Sequence, residues 1–405
     1  MRIAVLDYPG HAFPIQLCRA LASRGHTVLH SCYEEFPGPK GSLLARADDP
    51  PTLSILPIAL SEPLQRYKFF KRRQQEIEIG KGFSARIAQF KPDVVITCNM
   101  PLDAHRILKR AADKAGAATV FWLQDIISLA MRGILGRKLP GIGHVIAEYY
   151  HHTEARLLRD SDAVVAISED FFPALSDVRL DENRRHVVPN WAPLSDIPLQ
   201  PRDNEWSRAQ NLADKTVVLY SGTLGLKHNP ELLARLAETL RPRPGTQVVV
   251  VSEGIGTDYL KKAKADRGLD NLSLLPFQPS AALPQVLGAA EVLTAFVEPE
   301  AGVYSVPSKL LSYFCAGRAV LAGIGKENVA AREIRRHELG IVVEPEDEAG
   351  YLASVLKLTD NPALRASYGA RGRQYAEATF DIEKIATRFE HIFREAISHH
   401  AAATR

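Results

Sequence analysis

"EPEAGVYSVPSKLLSYFCAGRAVLA" (residues 298–322) has the order of a loop, a helix and a buried strand, which is the repeating pattern of a parallel α/β sheet. Pro307 suits the first turn of a helix, because the amides of that turn have no partner inside the helix. Apolar residues follow at helical spacing, and Gly317 suits the left-handed conformation that often ends a helix. The apolar residues from Ala319 to Ala322 then predict a strand.

Lys309 stands in the first turn of this predicted helix. Its charge has the wrong sign for that place, because a helix N-terminus already carries about half a positive charge. An anion would explain the lysine, since main-chain amides, the helix dipole and an ammonium group together form a phosphate site. The alternative is that Lys309 is solvated and Ser308 only caps the helix. This stretch alone favours neither interpretation.

Short apolar strands alternate with helices along the chain, which predicts parallel sheets covered by helices on both faces. The proline-rich residues 189–206, "PNWAPLSDIPLQPRDNEW", interrupt this alternation before it restarts. We therefore predict an α/β protein with two doubly wound, Rossmann-like domains that face a cleft. Their predicted bounds are 1–190 and 215–375, with a linker at 191–214. An amphipathic stretch within residues 376–405 predicts a C-terminal helix that returns to the first domain.

Composition is that of a globular protein and excludes several classes. The 405 residues are too many for one ordinary core, and 46% are hydrophobic. A formal charge of +3 gives no case for nucleic acid as a partner. Four cysteines without paired spacing indicate free thiols rather than disulfides or a zinc site. Without a signal-peptide pattern or an apolar stretch of membrane-spanning length, we expect a cytoplasmic protein.

Two more loops place small residues between a predicted strand and a helix. "YSGTLGLKHNPELL" (220–233) contains Gly222 and Lys227, and "DYPGHAFPIQL" (7–17) contains Gly10. Each pattern is ordinary when taken alone. Open parallel sheets bind ligands at the carboxyl ends of their strands. Together with the helix start at Lys309, the loops predict a diphosphate held between the domains.

The string "PSKLLSYFCAGRAVLA" (307–322) resembles the donor-site helix of the retaining glycosyltransferases of family 4. That family has the two-domain GT-B fold and moves a sugar from a nucleotide diphosphate. The resemblance covers nearly the whole chain and is closest to the fucosaminyltransferase-like branch of colanic-acid and O-antigen synthesis. Further strings that carry it, in the same order, are "VVPNWAPLSDIP" (187–198), "VLYSGTLGLKHNPELL" (218–233), "LLPFQPSAALPQVLGAAEV" (274–292) and "LGIVVEP" (339–345).

The resemblance implies roles for particular residues. Lys227 and Lys309 would neutralise the donor diphosphate, and Phe277 and Gln278 would lie beside the nucleotide base. Phe277 is alternatively ordinary core, and Gly254 an ordinary turn. The implied donor-binding residues are Gly10, His11, Gly222, Thr223, Gly254, Phe277, Gln278, Tyr304, Val306, Pro307, Ser308, Leu310 and Ser312.

The chain departs from the family at one important pair of positions. Many members carry two glutamates eight residues apart, and Tyr304 and Ser312 stand in their places here. Neither supplies a carboxylate, although Ser312 is able to form a hydrogen bond with a ribose hydroxyl. Glu298 and Glu300 are alternative acids from the preceding loop.

Electrostatics predicts a mechanism without a metal ion or cofactor. Negative charge builds on the leaving diphosphate, and Lys227, Lys309 and helix amides stabilise it. The family resemblance implies that the leaving phosphate accepts the proton of the acceptor. Asp125, at the end of a predicted strand, is predicted to orient the acceptor or act as a base; alternatively, it caps the helix that follows.

Basic and aromatic residues are mixed in "LQRYKFFKRRQQ" (64–75), within the domain that usually holds the acceptor in this fold. Such a mixture suits the surface of an anionic membrane. We predict peripheral attachment to the cytoplasmic face of the inner membrane; a solvated helix face is the alternative. The residues of this predicted membrane and acceptor surface are Arg66, Lys68, Phe69, Phe70, Lys71, Arg72 and Arg73.

The sequence thus predicts a retaining, metal-independent glycosyltransferase. Its donor is predicted to be a UDP-sugar, and its acceptor a lipid-linked sugar or polysaccharide of a cell-surface glycan. The alternatives are a nucleotide-sugar epimerase of the same fold and a non-catalytic scaffold subunit that binds sugar nucleotides. A nicotinamide-dependent oxidoreductase is disfavoured, because the first turn lacks the expected glycine triplet.

Overall fold

A computed structural model describes residues 1–35, 43–65, 68–138, 141–225, 228–297 and 307–404. The described residues form two compact units. Residues 1–35, 43–189 and 382–404 belong to the first unit, and residues from 190 to 381 belong to the second.

The first unit contains a parallel sheet of seven strands in the order β3-β2-β1-β4-β5-β6-β7. Because the chain moves outward from β1 to β3 and then returns to β4, the strand order reverses between β1 and β4. Open sheets bind ligands at such a switch point. The strands are β1 (Arg2–Asp7), β2 (Thr27–Cys32), β3 (Leu53–Ile55), β4 (Val94–Cys98), β5 (Ala118–Leu123), β6 (Ala163–Ala166) and β7 (Arg185–Val187).

The second unit contains a parallel sheet of six strands in the order β10-β9-β8-β11-β12-β13. Its switch point lies between β8 and β11. The strands are β8 (Thr216–Ser221), β9 (Thr246–Val251), β10 (Leu272–Leu275), β11 (Val292–Phe296), β12 (Ala319–Gly323) and β13 (Gly340–Val343).

Helices cover both sheets, and the inner strands β4, β5, β9 and β11 are buried along their whole length. Burial on both faces explains why these strands are continuous apolar runs in the sequence. The predicted α/β class with two doubly wound domains is confirmed. The helices are α1 (Ala12–Ser23), α2 (Phe69–Phe90), α3 (Leu102–Ala115), α4 (Ile127–Lys138), α5 (Ile142–Asp160), α6 (Phe171–Ala174), α7 (Glu205–Ala209), α8 (Pro230–Leu240), α9 (Ile255–Arg267), α10 (Leu283–Gly288), α11 (Ser308–Cys315), α12 (Val329–Arg336), α13 (Glu348–Asp360), α14 (Pro362–Thr379) and α15 (Ile382–Ala403).

The C-terminal helix α15 packs in the first unit, against α1 and β5. Phe389 is fully buried, and its ring lies 4.8 Å from that of Trp122, centroid to centroid. Glu390 accepts a hydrogen bond from His26 at 2.8 Å, between Oε1 and Nε2. The predicted return of this helix to the first domain is therefore confirmed.

The turn after α11 depends on two glycines in close contact. Gly317 has a φ of +63°, the left-handed conformation that its sequence position predicts. Gly369 of α14 packs against this turn so closely that a Cβ there would lie 2.3 Å from the Gly317 carbonyl oxygen. The pair of glycines thus brings α14 against the end of α11.

We expect G369A to destabilise the protein by about 1–3 kcal/mol, because the added methyl group overpacks this contact. G372A, one turn along the same helix, is the matched control. Its Cβ would meet nothing closer than 3.6 Å, so helix propensity should make it neutral or stabilising by up to about 1 kcal/mol. Urea unfolding of both variants measures the difference. Equal stability of the two would contradict the packing argument.

Candidate functional site

The helix start at the switch point of the second sheet carries the lysine that the sequence singles out. Helix α11 begins at Ser308, with Pro307 at its N-cap, one residue earlier than the first-turn position that we predicted. The half-buried Lys309 places its Nζ over the ring of Tyr220, 3.7 Å from the ring centroid. The same Nζ donates a hydrogen bond to the Tyr220 hydroxyl. A buried aromatic residue at the end of β8 therefore holds the Lys309 amine.

Burial shifts the charge state of this amine. It lowers the pKa of Lys309 from its ordinary value of 10.5 to about 7. The ion pairs found among the described residues include no carboxylate beside this nitrogen. The site therefore has the capacity to gain a full positive charge when an anion arrives.

Tyr313, one turn further along α11, fixes the position of Lys309 against the sheet. Its hydroxyl accepts a hydrogen bond from the Ser221 amide at 3.0 Å. It also lies 3.3 Å from the carbonyl oxygen of Thr294 on β11. Because residues four apart lie on one face of a helix, the contacts of Tyr313 hold Lys309 at the same edge of β8.

The loop after β8 is close to the lysine and continues the hydrogen-bond chain. The Tyr220 hydroxyl donates to the Thr223 carbonyl oxygen at 2.7 Å. Gly222 has a φ of +129°, and a Cβ there would lie 3.3 Å from the Lys309 Cε. Glycine thus lets the Lys309 side chain lie directly against this loop.

The loops after β9 and β10 lie at the same carboxyl edge of the second sheet. Gly254 has a φ of +102° and precedes α9. The Phe277 amide donates to Glu253 Oε1 at 3.1 Å. Trp206 Nε1 donates to Gln278 Oε1 at 3.0 Å. Phe277 is half-buried, so it keeps ring surface outside the core.

The predicted donor-binding residues differ in how much surface they offer. Thr223 and Ser308 are exposed, and Ser312 is half-buried. Leu310 is fully buried in the core, so its side chain offers no surface to a ligand. Lys227, Tyr304 and Val306 lie outside the described residues, and so do Glu298 and Glu300.

A second polar cluster occupies the switch point of the first sheet. Asp7 ends β1 and is fully buried, and Cys98 ends the adjacent strand β4. His11 lies one turn away, at the N-cap of α1. Polar atoms of all three side chains lie within 4.8 Å of one another. Carboxylate, imidazole and thiol groups are able to bind metals. Here, the His11 amide and the Cys98 thiol both form hydrogen bonds with Asp7, which explains why the three residues lie close together.

The sequence singled out Gly10 and His11 in this cluster but missed Asp7 and Cys98. Both missed residues are polar and stand at the carboxyl end of an apolar strand. That position could have indicated them as site residues, because open parallel sheets bind ligands there. Gly10 has a φ of +73° and forms the turn between β1 and α1.

Asp125 follows β5 and is exposed. Its charge contributes to a raised pKa of the Cys98 thiol, although burial of that thiol is the larger cause. The first amides of α4, at Ile127 and Ser128, donate to Glu154 at 2.9 and 3.0 Å. Glu154 therefore binds two of the first amides of α4, and the role of Asp125 stays a prediction.

The predicted membrane surface is less cationic than its sequence indicates. Lys71 pairs with Glu62, Arg72 with Glu76, and Arg73 with Asp103. The sequence could not indicate the last of these pairs, because Asp103 lies on α3. Lys68 is exposed, as are Phe70 with 81% and Phe69 with 41% of their surface, whereas Arg66 lies outside the described residues.

Two consecutive doubly wound sheets are the architecture of the GT-B glycosyltransferases. Two family models match the chain: "Glycosyl transferase 4-like domain" over residues 15–191 and "Glycosyl transferases group 1" over residues 202–375. The chain belongs to these family 4 glycosyltransferases, in the branch of colanic-acid and lipopolysaccharide type.

Individual relatives agree with this assignment. The chain is 26% identical over 308 residues to the "Putative colanic acid biosynthesis glycosyl transferase WcaI" of Escherichia coli, covering 74% of each protein. The fold matches Anabaena Alr3699/HepE, solved in complex with UDP and glucose, with a TM-score of 0.69, 14% identity and coverage of 96% and 98%. It also matches WaaG, a glycosyltransferase involved in lipopolysaccharide biosynthesis, with a TM-score of 0.65, 15% identity and coverage of 95% and 98%.

The lowered pKa of Lys309 predicts a pH-dependent stability. Between about pH 7 and 10.5 the unfolded chain binds more protons at this residue than the folded protein does, so stability should rise with pH in that window. K309M removes this contribution. We expect the difference in unfolding free energy between wild type and K309M to increase from pH 7 to pH 9 in urea titrations. K261M, at an exposed lysine, is the control, and the same trend there would refute the assignment.

Proposed function

We propose that the protein is a retaining glycosyltransferase that transfers a sugar from a UDP-sugar to a lipid-linked or polysaccharide acceptor. The observation that carries this proposal is the half-buried amine of Lys309 beside Tyr220, at the switch point of the second sheet. The UDP-bound complex of the structural neighbour supports UDP as the nucleotide of the donor. The name of the WcaI relative supports an acceptor in the synthesis of an extracellular polysaccharide.

The chemistry proposed for the site is electrostatic. Loss of the sugar leaves negative charge on the diphosphate. A protonated Lys309 stabilises that charge at a position that is partly shielded from water. The diphosphate raises the proton affinity of the amine, because an opposite charge nearby favours the charged form. Binding of the donor therefore charges Lys309 when it is needed. Lys227 is proposed to add a second cation, and no metal ion is required in this scheme.

The donor-binding part of the proposal predicts a lysine-dependent thermal shift. A ligand that binds only the folded protein raises its stability with occupancy. Among UDP-glucose, UDP-N-acetylglucosamine and GDP-mannose, we expect a UDP-sugar to raise the melting temperature most. K309M should lose most of that shift, while K261M retains it. Failure of every nucleotide sugar to stabilise the wild type would refute the proposed donor class.

Product analysis separates transfer from the two alternatives. A transferase releases UDP in proportion to the sugar attached to an added acceptor extract. An epimerase instead converts the donor without any acceptor. A scaffold subunit binds the donor and yields neither product.

We propose in addition that the first unit attaches peripherally to an anionic membrane. Because three of its cations are already paired, the exposed rings of Phe69 and Phe70 are the main contribution, with Lys68 beside them. Among the helices that the structure describes, none is long and apolar enough to cross a bilayer.

The membrane proposal predicts that F70S weakens binding to vesicles of phosphatidylglycerol and phosphatidylethanolamine in a flotation assay. L44S is a matched control, since Leu44 is also 81% exposed in the same unit. We expect F70S to lower the floated fraction several-fold and L44S to leave it unchanged. Equal flotation of wild type and F70S would exclude this surface.

A further inference from the structure

Lys309 is a half-buried amine that lies against an aromatic ring and a glycine. Its Nζ lies 3.7 Å from the centroid of the Tyr220 ring and donates a hydrogen bond to the hydroxyl of the same residue. A Cβ at Gly222 would lie 3.5 Å from this nitrogen, which is an ordinary contact distance. Glycine puts no side chain there, so a small group attached to the nitrogen has room beside Gly222.

The aromatic ring behind the amine is part of the core of the second unit. Tyr220 is fully buried, and its ring stacks on that of Phe296 at 5.9 Å and an interplanar angle of 15°. Phe296 in turn packs against Tyr351, with 5.1 Å between the ring centroids. The core therefore fixes the surface on which the Lys309 amine rests, and the amine keeps its partly dry surroundings.

Among the described residues, the titratable groups around Tyr220 and this amine are tyrosines. They are Tyr220 itself, Tyr313 on α11 and Tyr351 on α13. Burial raises the pKa of all three hydroxyls above its ordinary value of 10, so these groups stay uncharged near neutral pH. No acid in this part of the chain pairs with the Lys309 nitrogen. Burial therefore decides its charge state: it lowers the pKa of the amine to about 7 and favours the neutral form.

A neutral lysine amine is a nucleophile, whereas an ammonium group is not. Dissolved CO2 is a small, uncharged electrophile that adds to neutral amines and converts them into negatively charged carbamates. Lys309 stands in the first turn of α11, where the helix dipole disfavours a cation and favours an anion. A carbamate would therefore carry the sign of charge that this position favours, which the ammonium form does not.

We propose that Lys309 is a modification site, at which the amine binds CO2 as a carbamate and thereby excludes anionic ligands from the switch point of the second sheet. Formation of the carbamate does not depend on the proposed function, whereas its effect on donor binding rests on that function. A carbamate and a diphosphate repel each other, because both are negative. Dissolved CO2 therefore competes with the donor and lowers the fraction of protein that binds it.

The proposed step needs no further reactant. The Lys309 nitrogen forms a bond to the carbon of CO2, and the electron pair of one carbon–oxygen π bond becomes the negative charge on oxygen. The nitrogen releases one proton to solvent and keeps the other, so it is still able to donate to the Tyr220 hydroxyl. The step is reversible, and a bound diphosphate shifts it back, because a nearby anion favours the ammonium form.

Carbon NMR with ¹³C-labelled bicarbonate, which supplies dissolved CO2, tests the site without any sugar nucleotide. At about pH 8 the full-length protein should show a carbamate resonance from Lys309, whereas an exposed lysine is almost entirely protonated there. K309M should lose this resonance, and K261M, at an exposed lysine, should keep it. The N-terminal amine is also partly neutral at this pH, and any signal from it is common to all three proteins. A spectrum without a resonance that depends on Lys309 would overturn the proposal.

Chemical trapping in the wild type gives the same information if K309M does not fold. Triethyloxonium ions convert a carbamate into a stable ester, and peptide mass spectrometry then identifies the modified lysine. We expect the ester on Lys309 in a yield at least ten-fold above that on Lys261, because only the neutral amine reacts with CO2. Equal yields at the two lysines would contradict a special site at Lys309.

Competition with UDP tests the effect on donor binding. UDP should weaken the Lys309 carbamate resonance, and bicarbonate should reduce the thermal shift caused by a UDP-sugar more than chloride does at the same ionic strength. A carbamate that persists when UDP is bound would overturn the exclusion and contradict the diphosphate role of Lys309, while the modification site itself would be supported. A full donor-induced shift without any carbamate would overturn the modification site and leave the proposed function intact.

Discussion

A lysine amine held against a buried tyrosine at the edge of β8 is the constraint on which the second unit's chemistry depends. Tyr220 provides an aromatic face and a hydroxyl, and both are used by the Lys309 Nζ. The geometry is maintained by Tyr313, which bonds to main-chain groups of β8 and β11. Burial favours the neutral form of the amine and lowers its pKa to about 7. The same feature thus links the packing of α11 to the proposed recognition of a diphosphate.

Both sheets carry a group of polar side chains at the place where their strand order reverses. In the first unit the switch point unites the ends of β1 and β4, and in the second it unites β8 with the helix that follows β11. Neighbouring loops diverge at such a point and leave space above the strand ends. The two units use that space differently: the first places a carboxylate beside an imidazole, and the second places an amine beside tyrosines.

Local pattern was enough to predict the alternation of strands and helices, helix α11 and its glycine turn. It also singled out Lys309, whose role stays a prediction. Local pattern could not predict contacts between segments that are distant in the sequence. Tyr220 is 89 residues from Lys309, and nothing in either segment indicates that they meet. Asp7 and Cys98 are neighbours only because β4 lies beside β1, an order that periodicity does not reveal. The ion pair of Arg73 with Asp103 likewise depends on how α2 packs on α3.

The position of α15 has a consequence for biosynthesis. This helix completes the core of the first unit with Phe389, yet about half the chain is translated between β7 and Ile382. At typical synthesis rates of about 5–20 residues per second, the ribosome needs roughly 10–40 s for that interval. During this time the first unit lacks helix α15, so the side of Trp122 that packs against Phe389 is not yet covered. All residues of the second unit are therefore synthesised before the last helix of the first, so the second unit is able to finish folding earlier.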